Sequence, residues 1–242
     1  MIYRIHRGGT HYTPENTMPA FRTAIECGGY CLIETDPQLT RDGQIVLMHD
    51  GTINRTCRNE DGSPIAEPIR VADHTYEELL QYDAGIAFNE AFRGTRIPLL
   101  HDLLTLAEGR GVSIALDKKI DDDHVDALVD VVRAHNVRVS FSTSTVARIR
   151  RIQALMPDAA FDFDVNTEEE TLREVTRLVA PENLIVWLYM NKPNFAWLAE
   201  KAKVTPENVA RVRRYARLGI ANVNNPIDAK EAFDILPDVL EV

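Results

Sequence analysis

From Ile97 to the end of the chain, short apolar segments alternate strictly with amphipathic ones, and no other feature so narrows the folds open to it. An amphipathic stretch at 97–111 leads to the strand VSIALDKK (112–119), and another at 124–136 leads to VRVSFST (137–143). Helices at 145–158 and 167–180 precede the strands AFDFDVN (160–166) and LIVWLYM (184–190). Two helical segments, 193–203 and 206–219, come before IANVN (220–224), and a helix at 228–236 before VLEV (239–242). Apolar strands alternating with helices are what a parallel sheet covered by helices requires.

The amino-terminal part begins in the same manner. IYRIHR (2–7) predicts a strand broken by Gly8-Gly9, followed by a helix that Asn16 or Thr17 can cap, with Pro19 in its first turn and Gly28-Gly29 at its end. Cys31–Asp50 predicts a strand, a tight turn at Arg41-Asp42-Gly43 and a returning strand. Setting that return aside, eight strands separated by helices fill 242 residues, which matches a (β/α)8 TIM barrel. A doubly wound sheet would carry a glycine-rich phosphate turn after its first strand, and His6-Arg7-Gly8-Gly9 is not one. Residues 51–94 break the alternation with turn signals, Pro64, Pro68 and one short helix at 75–82, where Thr75 and Glu78 form a capping box. They predict a small insertion after the second strand, inside a single domain of residues 1–242.

Net charge bounds the partners. At −10, with no run of basic residues, the chain is ill suited to nucleic acid or to an anionic membrane surface. No apolar leader follows Met1, no stretch is long enough to span a bilayer, and Cys27, Cys31 and Cys57 have neither an even count nor zinc-ligand spacing. A reduced, cytoplasmic protein without membrane insertion is expected. Apolar helix faces leave a homo-oligomer open.

In such a barrel the working face lies at the carboxyl ends of the strands. The first strand ends in His6 and Arg7, and the second supplies Glu34 and Asp36, two residues apart and so on one face. The third ends in Asp117 and Lys119, and His49 returns from the turn towards Glu34 and Asp36. Phe141, near the end of strand four, and Asn222 and Asn224 at the end of strand seven are candidates for a substrate pocket. Like charges crowded on one face repel, and a divalent cation with a preference for hard oxygen ligands, Ca²⁺ or Mg²⁺ or alternatively Mn²⁺, removes the conflict. Three carboxylates around one such cation, two cationic side chains and two histidines suit cleavage of a phosphodiester. Arg7 and Lys119 would meet the anion, while one histidine takes a proton from the nucleophile and the other protonates the leaving alkoxide.

The chain also resembles the glycerophosphodiester phosphodiesterases, a (β/α)8 barrel family, in an ordered set of motifs. These are H-R-G at His6–Gly8, P-E-N-T at Pro14–Thr17, E-x-D at Glu34 and Asp36, D-G at Asp42-Gly43, H-D at His49-Asp50, R-T at Arg55-Thr56 and I-P-x-L at Ile97–Leu100. The resemblance implies His6 and His49 as the general acid and base, Glu34, Asp36 and Asp117 as metal ligands, and Arg7 and Lys119 as phosphate binders. It implies supporting roles for Glu15, Asn16 and Asp50. It further implies hydrolysis of a small soluble glycerophosphodiester to an alcohol and glycerol 3-phosphate, with a place in lipid and glycerol metabolism. Two departures stand out: Asp117 replaces the family's usual third Glu, and Ala221-Asn222-Val223-Asn224 replaces its W-T-V-N. The same chemistry on a sugar phosphodiester of the agrocinopine type is one alternative, and a non-catalytic barrel that binds a phosphate ligand is another.

Overall fold

The computed structural model describes residues 1–28, 31–190, 199–223 and 225–242. Eight strands hydrogen-bond into a closed barrel: β1 (Ile2–Ile5), β2 (Cys31–Thr35), β5 (Ser113–Leu116), β6 (Arg138–Thr143), β7 (Ala160–Phe163), β8 (Leu184–Tyr189), β9 (Arg217–Ala221) and β10 (Val239–Glu241). The remaining two, β3 (Pro37–Leu39) and β4 (Ile45–Leu47), form a separate antiparallel pair. The helices are α1 (Met18–Glu26), α2 (Tyr76–Leu79), α3 (Leu100–Ala107), α4 (Val125–Arg133), α5 (Val146–Leu155), α6 (Glu169–Leu178), α7 (Pro206–Arg213) and α8 (Pro226–Ile235). The expected TIM barrel is therefore the fold. None of the described helices is long and apolar enough to cross a membrane.

The chain divides into two compact units, residues 5–138 and residues 1–4 with 139–242. In the first, β2 lies parallel to β5 with Glu34 opposite Ala115 and Thr35 opposite Leu116. Every residue of β2 is buried, and Phe21 of α1 is 0% exposed. The run 31–50 is not the single hairpin its pattern predicts. It splits at Asp36: β2 enters the barrel, and β3 turns back through Thr40–Gln44 onto β4. Gly43 allows that turn by taking a φ of 79°. The residues between β4 and α3 gather around an apolar cluster of their own, with Ile53, Cys57, Val71, Leu79 and Ala84 packed beside Val46, Met48 and Ile97. α2 carries the predicted capping box: the Glu78 N–H donates to Thr75 Oγ1 at 3.2 Å and the Thr75 N–H to Glu78 Oε2 at 2.8 Å.

In the second unit β8 is the central strand, paired with β7 from Phe161↔Leu184 and with β9 from Ile185↔Arg217 to Tyr189↔Ala221. Here too the sequence pattern misleads. Residues 206–219 have good helix formers, yet α7 stops at Arg213 and the strand starts at Arg217 rather than Ile220. Pairing with β8 decides it, since Gly219 sits under the Trp187 ring, where a Cβ would come within 2.6 Å of Cδ2. Trp187 is fully buried, donates from Nε1 to Asp162 Oδ1 at 2.7 Å, and is faced by the Arg4 guanidinium 3.6 Å from its ring centre. Arg4 also donates from Nε to Glu241 Oε2 at 2.8 Å, so this buried charge is paired. The helix predicted at 193–203 falls largely outside the described residues, of which Glu200–Ala202 form a 3-10 turn. Cys27, Cys31 and Cys57 are free thiols.

Candidate active site

The site is built in residues 5–138 from the loop after β1 inward. His6, Arg7 and Gly8 make one 3-10 turn in which Arg7 takes a left-handed φ of 51° and Gly8 one of 76°. A side chain at Gly8 would meet Phe21 at 2.8 Å, so the turn can lie tight against α1 only with glycine there. This geometry aims the Arg7 N–H at Glu34 Oε2, 2.8 Å away, and leaves His6 Nε2 3.9 Å from the same oxygen.

Asn16 does not cap α1. Its backbone is left-handed (φ 54°), a region asparagine tolerates better than most residues, and its N–H donates to Arg7 O at 2.9 Å. Its side chain spans the base of the site, with Nδ2 donating to Asp36 Oδ2 at 2.8 Å and Oδ1 accepting from Thr35 Oγ1 at 2.7 Å. Thr17 occupies the cap position without a capping bond and donates instead to Pro14 O at 2.6 Å.

Backbone bonds then fix the neighbouring groups around Asp36. The Asp117 N–H donates to Thr35 O and the Met48 N–H to Asp36 O, both at 2.9 Å, which ties Asp117 and the residue before His49 to the backbone of Thr35 and Asp36. Glu34, Asp36 and Asp117 each offer a carboxylate oxygen within 4.8 Å of the others. Glu34 and Asp36 are buried, whereas Asp117 is partly open to solvent. Lys119 Nζ lies 3.5 Å from Asp36 Oδ1 and 3.4 Å from Asp117 Oδ2, and Arg7 Nε lies 3.7 Å from Asp36 Oδ2. That Nε–H is buried without a hydrogen-bond partner.

A second layer ties the two histidines' surroundings together. His49 Nδ1 lies 2.7 Å from Asp50 Oδ1, and Arg55 Nε donates to Asp50 Oδ2 at 2.6 Å. The other end of Arg55 grips Glu15, from Nη2 to Oε1 at 2.7 Å and from Nη1 to Oε2 at 3.0 Å, while Arg7 Nη1 reaches Glu15 Oε1 at 3.0 Å. The Arg55 hydrogen bonds pull the Asp50 carboxyl down to about 2 against burial, with His49 adding to the effect. Burial pushes the Glu15 carboxyl up, but Arg55 and Arg7 outweigh it and the net shift is downward. Asp50 and Glu15 are thus held ionised, and Arg55, raised above its usual value by Glu15 and Asp50, stays charged.

Two contributors carry no assigned role in the sequence. Arg55 is visible there only as half of the R-T motif. Gln38 donates from Nε2 to Met48 O at 2.5 Å and to Asp50 O at 2.6 Å, bracketing His49, and no motif marks it. Of the pocket candidates, Phe141 belongs to the other unit, is 1% exposed and stands beside Phe161 (ring centres 6.4 Å apart). Asn222 has a φ of 67° and a buried Nδ2 without a partner; Asn224 lies outside the described residues.

The donor set fits a hard divalent cation: three carboxylates, all oxygen, close enough to converge on one ion. Residues 6–223 match the family model described as "Glycerophosphoryl diester phosphodiesterase family". The glycerophosphodiester phosphodiesterase of Caldanaerobacter subterraneus subsp. tengcongensis is 34% identical over 158 residues, 63% of this chain and 61% of that protein. The chain spans about three-fifths of the length of the curated relatives it matches first. An Oleispira antarctica phosphodiesterase, solved with the product sn-glycerol-3-phosphate, superposes with a TM-score of 0.79 at 20% identity over 100% of this chain and 92% of that one. A glycerophosphoryl diester phosphodiesterase from Parabacteroides distasonis gives 0.75 at 22% identity, over 99% and 81%. These two likenesses carry the fold.

Proposed function

Because the chain belongs to the glycerophosphoryl diester phosphodiesterase family, whose members are phosphoric diester hydrolases, we propose that it hydrolyses a small glycerophosphodiester to an alcohol and glycerol 3-phosphate. The observation that carries this is the meeting of His6, Arg7, Glu34, Asp36, Asp117 and Lys119 at one place, with His49 fixed beside them. Glu34, Asp36 and Asp117 would hold one divalent cation, Ca²⁺, Mg²⁺ or Mn²⁺, which when bound supplies Lewis-acid polarisation of the phosphoryl oxygens.

The remaining groups divide the work. The buried, unpartnered Nε–H of Arg7 and the Lys119 ammonium suit the oxygens of the diester and the charge that builds on them in the transition state. Asp50 is ionised, so it accepts the Nδ1–H of His49 and leaves Nε2 of that ring to exchange a proton. His6, whose Nε2 lies 3.9 Å from Glu34 Oε2, would serve the other oxygen: one histidine takes a proton from the nucleophile and the other delivers one to the departing alkoxide. Arg55 and Gln38 position His49, and Glu15 and Asn16 position Arg7 and Asp36. Binding alone would need no paired acid and base. The Oleispira antarctica relative's product complex supports glycerol 3-phosphate as the product here. We read residues 51–94 as an insertion within one domain and the free thiols as suited to a reducing compartment.

The test is release of glycerol 3-phosphate from glycerophosphocholine, set beside release from a sugar phosphodiester. Preferential turnover of glycerophosphocholine is expected; turnover of the sugar diester alone overturns the substrate assignment, and turnover of neither overturns the activity.

A further inference from the structure

Two histidines that play no part in the phosphate chemistry meet each other on the outer helices of the unit formed by residues 5–138. His101 lies in the first turn of α3, and His135 lies just past the end of α4, the helix beside it. Their ring centres are 4.8 Å apart with the planes at 63°, so the rings are not stacked face to face.

The hydrogen bonds of His135 set its tautomer. Nδ1 lies 2.9 Å from Val131 O, and a carbonyl only accepts, so Nδ1 carries the proton. Nε2 therefore presents its lone pair, on the side where Thr105 Oγ1 lies 3.4 Å away, one helical turn along α3 from His101. The turn after α4 is pinned further by the Asn136 N–H, which donates to Glu108 Oε1 at 3.1 Å. A metal-bound histidine has this arrangement: one ring nitrogen donates to a backbone carbonyl and so aims the other at the ion. His101 is exposed, and its ring has no hydrogen-bond partner among the described residues, so it can turn a nitrogen towards the His135 lone pair.

The spacing agrees. A metal–nitrogen bond of about 2.0–2.1 Å puts the centre of an imidazole about 3.2 Å from the ion, and two such rings at about 90–110° around it stand about 4.5–5.2 Å apart. The observed 4.8 Å falls inside that range. We infer that His101 and His135 form a binding site for one late first-row divalent ion, Ni²⁺, Cu²⁺ or Zn²⁺, with water in its remaining positions. The site shares no residue with Glu34, Asp36 and Asp117, and the two differ in donor chemistry. Imidazole nitrogens suit the late ions, whereas carboxylate oxygens suit Ca²⁺ and Mg²⁺. An ion held there ties the start of α3 to the end of α4.

The test is a titration of the full chain, in saturating Mg²⁺, with Ni²⁺, Cu²⁺ and Zn²⁺, followed by calorimetry and by proton spectra of the histidine rings. Paramagnetic Cu²⁺ below one equivalent should erase the ring signals of His101 and His135 before those of the other histidines. Cu²⁺ should bind more tightly than Ni²⁺ or Zn²⁺. His101→Ala should weaken this Cu²⁺ event at least about 10-fold, because losing even a supporting partner of a ligand costs that much. His135→Ala should do the same; should it fail to fold, His101→Ala, at an exposed position, still decides. Loss of all histidine signals together, loss of the His6 and His49 signals alone, or no loss overturns the inference. So does a His101→Ala titration that matches the parent's.

Discussion

Replacing Asn16 by Ala strikes the joint on which Asp36 is held. The side chain is 2% exposed and serves two buried partners, the Asp36 carboxylate and the Thr35 hydroxyl. Losing a hydrogen bond to an ionised acceptor costs about 1.5–3 kcal/mol, and orphaning a buried hydroxyl about 1–3 kcal/mol. Holding alanine at the left-handed φ of 54° adds about 1 kcal/mol. The three losses share one site and do not add in full, so about 3–5 kcal/mol is expected in total. In urea this lowers the unfolding midpoint by about 1–2 M, a large fraction of the stability of an ordinary domain. Urea melts followed by circular dichroism, run in EDTA so that no cation masks the change, measure it. Asn16→Gly separates the contributions, because glycine accepts the backbone conformation and should recover about 1 kcal/mol. Asn16→Ala within about 1 kcal/mol of the parent, or Asn16→Gly no better than Asn16→Ala, refutes the reasoning.

Other perturbations address the rest of the molecule. His6→Ala and His49→Ala should each lower turnover by about 10²–10⁴-fold while leaving cation binding largely intact by calorimetry. The Asp50 carboxyl is held at about 2, below its ordinary 3.8, so its contribution is present above about pH 4 and is lost as the pH falls through about 2. After discounting for the solvent around Arg55, it is worth about 1 kcal/mol; the stability gap between the parent and Asp50→Asn should shrink as the pH falls from about 4 towards 2. Gly219→Ala drives a methyl into the Trp187 ring and should cost about 2–4 kcal/mol, with a shift in tryptophan fluorescence; an unchanged melt would show that the ring can yield.

Much of this was legible in the sequence because the fold and the motifs speak through short-range pattern. Apolar strands such as LIVWLY and amphipathic helices such as VDALVDVVR announce their elements by periodicity, and Glu34, Asp36 and Asp117 lie at strand ends, where the topology of a barrel collects polar groups. What escaped depends on partners distant in the chain. Residues 214–219 have helical propensity, and only the Trp187 ring and the β8 ladder make them turn and strand. Asn16 is a good cap residue locally, but Asp36 and Thr35, some twenty positions on, claim its side chain. Gln38 and Arg55 are ordinary polar residues until folding brings them to the backbone and carboxylates around His49.

The most direct measurement is a calcium, magnesium and manganese titration of the chelator-stripped protein, read at once by calorimetry and by glycerol 3-phosphate release, for the parent and for Asp36→Asn. One ion should bind per chain and turnover should rise in step with its occupancy, with both lost in Asp36→Asn. Full turnover by protein shown to hold no metal, or an Asp36→Asn variant that binds and turns over as the parent does, would contradict the placing of the reaction at Glu34, Asp36 and Asp117.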